Sequence, residues 1–139
     1  MANQTGGGWD PVSGPPAGSM TQADRAAFGD GRLACDLGAV MAMIMLTPEW
    51  KREPRAARSI VSLPDVRVVI TALHHSAEMH NEDPNESVTI QGLRGSALIS
   101  IDGHGAVIDE GTLVTVPAGV SWRLVSTTEG AVMLLTVVP

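Results

Sequence analysis

From Ile60 to its end the chain is a series of short runs of Val, Ile, Leu and Thr, broken at intervals by Gly, Pro, Asp, Asn or Ser. Strand-length runs with turn residues about every eight to twelve positions are the pattern of a β-sandwich or barrel. Strands are predicted over Val66 to Leu73, Ser87 to Leu93, Ser96 to Ile101, Ala106 to Asp109, Leu113 to Val116, Val120 to Ser126 and Ala131 to Val138. In Ser87-Val-Thr-Ile-Gln the alternation puts Val88 and Ile90 on one face and Ser87, Thr89 and Gln91 on the other, so that strand has one dry face. Ala131 to Val138 is apolar on both faces and reads as a central strand covered on both sides. Asp102-Gly-His-Gly105 is a hairpin turn by its Asp-Gly pair. The fold class is all-β.

The 139 residues, 44% hydrophobic and 17% charged, match one ordinary domain with enough burial for a core. A net charge of -6 argues against nucleic acid or an anionic membrane surface as partner. One cysteine, Cys35, excludes an internal disulfide and multi-cysteine metal frameworks, and it reads as a small buried hydrophobe. The longest apolar run, Ala39 to Leu46, falls far short of the roughly twenty residues of a membrane span. Residues 1–19 are rich in Gly and Pro, lack the basic start and apolar stretch of a signal peptide, and read as a disordered tail on a cytoplasmic protein.

Residues 20–58 read as an extension made of a short helix, with an extra strand as the alternative; residues 59–139 hold the β domain. Thr21 to Gly29 suits one or two helical turns, and Asp36 to Leu46 reads equally as helix or buried strand. Lys51 to Arg58 mixes basic residues with acidic neighbours and reads as a solvated linker turn.

Two stretches carry residues at set spacings. In GTLVTVPAGVSWRLVS they are Gly111, Pro117 and Gly119, followed by Trp122 and Ser126; in HHSAEMHNEDPNESVTIQGLRG they are His80, Glu82 and Gly95. Glycines and a proline after a strand set tight turns, and Val120, Trp122 and Leu124 then share one face of the strand that follows. These spacings resemble the two motifs of the cupin superfamily, over roughly Val66 to Val138. The family pattern has His where this chain has Trp122 and Asn where it has Ser126. In the other motif His80 takes the first His position, Glu82 stands at the second, and Val88 at that of Glu, with Glu86 two residues earlier; His74 replaces the opening Gly. The resemblance implies a jelly-roll β-barrel with a short helical or irregular N-terminal extension.

In typical cupins three His and a Glu hold a divalent metal inside the barrel; this chain keeps His80 of the four. His80, Glu82 and Glu86 together offer one nitrogen and two carboxylates, whereas the Trp122 indole cannot ligate a metal. No metal or other cofactor is therefore the favoured expectation, with a divalent ion on His80, Glu82 and Glu86 as the alternative. His74 and His75, adjacent in a strand, point to opposite faces, and His104 lies in a surface turn.

The expected ligand pocket is lined by His80, Glu82, Glu86 and Trp122, with Arg94 or Arg123 at its rim. The alternative is that Trp122 plugs the barrel against Val88 and Ile90. The functional expectation is a small-molecule binding or regulatory module with a degenerate metal site, acting as a homodimer through strand edges. The alternative is a metal-dependent cupin enzyme of oxygenase or isomerase type, or His80 acting as a general base beside a carboxylate.

Overall fold

A computed structural model of the chain describes residues 34–81 and 83–139. The expectations for the tail at 1–19 and for a helical stretch from Thr21 lie outside the described residues, as does Glu82. Among the described residues two short helices, α1 (Leu37–Ile44) and α2 (Pro48–Arg52), precede nine strands. These are β1 (Arg55–Leu63), β2 (Val66–Leu73), β3 (Glu78–His80), β4 (Ser87–Arg94), β5 (Ala97–Ile101), β6 (His104–Ile108), β7 (Leu113–Val116), β8 (Trp122–Ser126) and β9 (Ala131–Val138). They form a five-stranded sheet in the order β1-β2-β9-β4-β7 and a four-stranded sheet in the order β3-β8-β5-β6. All the strand pairings are antiparallel. The two sheets face one another as a jelly roll and do not close into a barrel.

Alternate residues of the facing strands fill the space between the sheets. Val88 and Ile90 of β4, Ile99 of β5, Leu124 of β8 and Met133 of β9 belong to one buried cluster, and Trp122 joins it at 6% exposure. A second core lies on the outer face of the larger sheet. There Val40 and Ile44, one turn apart on α1, pack with Ala56 and Ile60 of β1, Ile70 and Ala72 of β2, and Val132 of β9. Strand β9 serves both cores, since Met133 and Leu135 face inward while Val132 and Leu134 face the helix.

The open reading of Asp36 to Leu46 resolves as helix. The Asp36 carboxylate accepts the Ala39 N–H at 3.0 Å and caps α1. Thr47 then both closes α1, donating its hydroxyl to the Ile44 carbonyl at 2.7 Å, and caps α2, accepting the Trp50 N–H at 3.2 Å. Cys35 is half-buried against the second core, and burial, with Asp36 beside it, holds its thiol above the usual range.

The linker turn expected over Lys51 to Arg58 is corrected. Lys51 and Arg52 finish α2, and Arg55 opens the edge strand β1, whose register runs from Arg55 opposite Leu73 to Leu63 opposite Val66. A boundary at residue 58 therefore cuts through a strand. Pairing with β2 satisfies the backbone there, while alternate side chains divide between the outer core (Ala56, Ile60) and the inner face (Arg55, Ala57, Ser59). The Asp102-Gly103 pair makes the β5–β6 turn, both with positive φ (49° and 83°), and His104 is exposed at the start of β6.

Candidate functional site

The larger sheet ends in β1 and β2, while the smaller ends in the three-residue strand β3. A cavity of about 400 Å³ lies between them, lined by residues of β1, β2, β3, β4, β8, β9 and the β3–β4 connection. One wall comes from the inner faces of β1 and β2: Arg55, Ala57 and Ser59 opposite Thr71, Val69 and the more distant Arg67. Val88, Leu135 and Val137 extend this surface across β4 and β9, and Met79 and Trp122 supply the facing apolar side. His80, Asn81, Asp83 and Glu86 form a polar rim.

The cavity has two distinct ends. At one, Arg55 donates from Nη1 to the Glu78 carbonyl at 2.8 Å, at the start of β3. Among the described residues no carboxylate pairs with Arg55, so most of its five N–H donors remain uncommitted. At the other end Asn81, just past β3, accepts the Trp122 N–H on Oδ1 at 3.4 Å and donates to the Val120 carbonyl at 3.5 Å, which fixes the entry of β8. Glu86 and Arg67 stand 3.8 Å apart, an ion pair without hydrogen-bond contact. Between the ends lies Thr71. This residue is buried, at 3% exposure, and lines the cavity, and its hydroxyl has no hydrogen-bond partner among the described residues. A hydroxyl can donate once and accept twice, so this one has bonding capacity to offer a molecule in the cavity.

Of the residues singled out in the sequence, His80, Glu86 and Trp122 line this one cavity. His80 is exposed, with Nδ1 3.1 Å from the Asn81 carbonyl. Trp122 belongs to the inter-sheet core together with Val88 and Ile90 and also presents surface to the cavity, so packing and lining are properties of the same ring. Glu82 lies outside the described residues. The expected rim arginines are replaced by others. Arg123 sits on the outer face of β8 and binds Glu78 there at 2.8 Å, and Arg94 is absent from the lining. Arg55, Arg67 and Thr71 were not singled out from the sequence. The signal was present in Val66 to Leu73, where alternation sets Arg67, Val69 and Thr71 on the face opposite Val68, Ile70 and Ala72.

A resident metal is the question the family resemblance raises. Among the described residues no group of three or more His, Cys, Asp or Glu is placed to hold an ion. Glu86 stands 3.8 Å from Arg67, and the Trp122 indole, which lines the same cavity, cannot ligate a metal. The described donor set does not fit a catalytic metal, which takes about three protein ligands.

His74 belongs to a separate arrangement outside the cavity. Its Nδ1 lies 2.6 Å from Glu129 Oε2, its Nε2 lies 2.7 Å from the Trp50 carbonyl, and its ring stacks on the Trp50 indole with centroids 3.6 Å apart. The other Glu129 oxygen accepts the His75 N–H at 2.9 Å. The hydrogen bond to the Trp50 carbonyl, and then Glu129, hold the imidazole pKa above its ordinary value.

Solved structures with this two-sheet arrangement include an RmlC-like cupin from Shewanella frigidimarina, with a TM-score of 0.57 and 20% identity over 62% of this chain and 77% of that one. The fold is that of a cupin domain. KdgF from Halomonas sp. superposes on this chain with a TM-score of 0.59 at 11% identity, covering 62% of this chain and 79% of that one. The Cupin_2 domain of an XRE family transcriptional regulator from Enterobacter cloacae does so with a TM-score of 0.55 at 8% identity, over 63% of this chain and 98% of that one. No family model and no curated protein matches the sequence. Among the described residues no helix is long and apolar enough to cross a membrane.

Proposed function

We propose that this cupin domain is a small-molecule binding module and that the cavity between the β1–β2 wall and β3 is its ligand site. The observation that carries this reading is the cavity itself. At about 400 Å³ it falls within the range of about 300–1,000 Å³ usual for ligand pockets, and it pairs apolar walls with a few polar groups. Small residues at Ala57, Ser59 and Thr71 keep the space open on a sheet face that bulkier side chains would fill. Regulation by the bound molecule is part of the same reading. A cupin-fold domain of a transcriptional regulator is among the similar structures, which supports a sensing role.

The test is a thermal-shift and calorimetric screen of metabolite-sized molecules against the wild type and Ala57→Phe, which places a ring in the cavity. Hits are expected to raise the wild-type Tm and to lose binding in Ala57→Phe at unchanged secondary structure by circular dichroism. Elemental analysis of the same preparation after incubation with zinc, manganese or ferrous iron is expected to find far less than one metal per chain. A stoichiometric metal that His80→Ala removes would overturn the reading in favour of a metal-dependent enzyme.

A further inference from the structure

We infer that the ligand of this cavity is a small amphipathic carboxylate, its anionic group held by Arg55 and Thr71 and its apolar body laid toward Trp122; the inference rests on the binding-module reading. Three features of the inner sheet face carry it. First, Arg55 is a cation on the cavity wall with no carboxylate partner among the described residues, in a chain of net charge -6. A guanidinium presents paired N–H donors that match a carboxylate edge, and one Nη1 contact to the Glu78 carbonyl orients the fork without neutralising it. The second cation of the lining, Arg67, already has Glu86 near it, so the charge is uncompensated at the Arg55 end alone.

Second, Thr71 places an unpartnered donor beside that cation. Arg55 faces Leu73 and Ala57 faces Thr71 in the β1–β2 register, so Arg55 and Thr71 are diagonal neighbours, about 7–8 Å apart at the backbone. A carboxylate accepts through both oxygens, and one oxygen on the guanidinium with the other on the Thr71 hydroxyl uses both free donors. An uncharged polar ligand would satisfy Thr71 and leave the cation unused. An inorganic anion would satisfy both but leave the rest of the cavity without an occupant.

Third, the surface leading away from this pair is apolar. Val69, Leu135, Val137, Met79 and Trp122 extend from the donors toward the Asn81 end. An aliphatic or aromatic body fills that surface, and its exclusion of water strengthens the charged contact at the head.

The test titrates octanoate, benzoate and phenylacetate, with octanamide, benzamide and phenylacetamide as uncharged counterparts, into the full chain by calorimetry. The acids are expected to bind at least about tenfold more tightly than their amides, and their affinity is expected to fall with added salt. Arg55→Met is expected to abolish that preference by weakening the acids about tenfold or more while leaving the amides unchanged, and Arg55→Lys to restore part of it. Thr71→Val, of nearly the same shape, is expected to weaken the acids severalfold. Amides that bind as well as acids, or an Arg55→Met protein with wild-type affinity for the acids, overturn the inference while leaving the binding module in place. Failure of acids, amides and the wider screen alike overturns the module reading itself.

Discussion

Both ring nitrogens of His74 face acceptors, the Glu129 carboxylate and the Trp50 carbonyl, and an imidazole can donate from both nitrogens only when it is protonated. The charged ring also stacks on the Trp50 indole, a favourable cation–π geometry. Three segments are tied together by it: the end of α2, the β2–β3 turn and the β8–β9 turn. The His74 pKa is raised above its ordinary 6.5, chiefly by the Trp50 carbonyl, so the stability that it contributes is full below that value and is lost as pH rises through the folded-state pKa. Glu129, held below its ordinary 4.5 chiefly by the His75 N–H and then by His74, contributes in the opposite sense: its share is present above that value and lost as pH falls through the folded-state pKa. The Tm gap between the wild type and His74→Phe is therefore expected to be widest between about pH 5 and 6 and to narrow toward pH 8.5, as read by calorimetry in matched buffers. An equal gap at both ends would sink the charged-clamp account. From the sequence this site was only a doublet, of which one member at most could face inward. The partner Glu129 is 55 positions away, and a contact of that separation leaves no local pattern.

Among the elements, legibility followed the dryness of the face. Strand β9 is apolar at every position except Thr136, and its place between two cores was readable from composition alone. Strand β1 hid because its inner face, Arg55, Ala57 and Ser59, borders a cavity instead of packed side chains, so the usual contrast of apolar and polar alternation is weak. Strand β3 has only three residues and is defined by pairing with β8, which no sequence window of that length reveals. Helix α1 is ambiguous in sequence, because Ala, Val, Met and Ile suit a buried strand as well. Its contribution can be measured. Ile44→Ala, which empties a fully buried site under the larger sheet, is expected to cost about 2–5 kcal/mol in urea unfolding with the jelly roll retained. Gly95, the residue that closes the first cupin-like motif, marks a tighter constraint: φ is +69°, and an added Cβ would run into the Thr128 hydroxyl and stand 3.0 Å from the Ala131 backbone. The spacing that made the family resemblance visible is thus a steric requirement of the β4–β5 turn.

At the scale of the molecule, the two-sheet architecture followed from the regular punctuation of short strands, while the cavity did not. A cavity is made where side chains fail to fill a space, and sequence patterns report what is packed. His80 and Trp122 were reached through motif spacing, whereas Arg55 and Thr71 meet only because β1 and β2 pair in a particular register. That central strand β9 is hydrogen-bonded to β2 on one side and β4 on the other, with a core against each face. No local opening frees its amides, since each route breaks two strand pairings or exposes one of the cores. In deuterium its backbone protons are accordingly expected to exchange last, at the rate of global unfolding, and those of the exposed strand β6 among the first. Mass-spectrometric exchange reads this directly, and a β9 that exchanges as early as β6 would contradict it. An isotope clock on this single strand would therefore time the opening of both cores at once, the inter-sheet one and the one beneath α1.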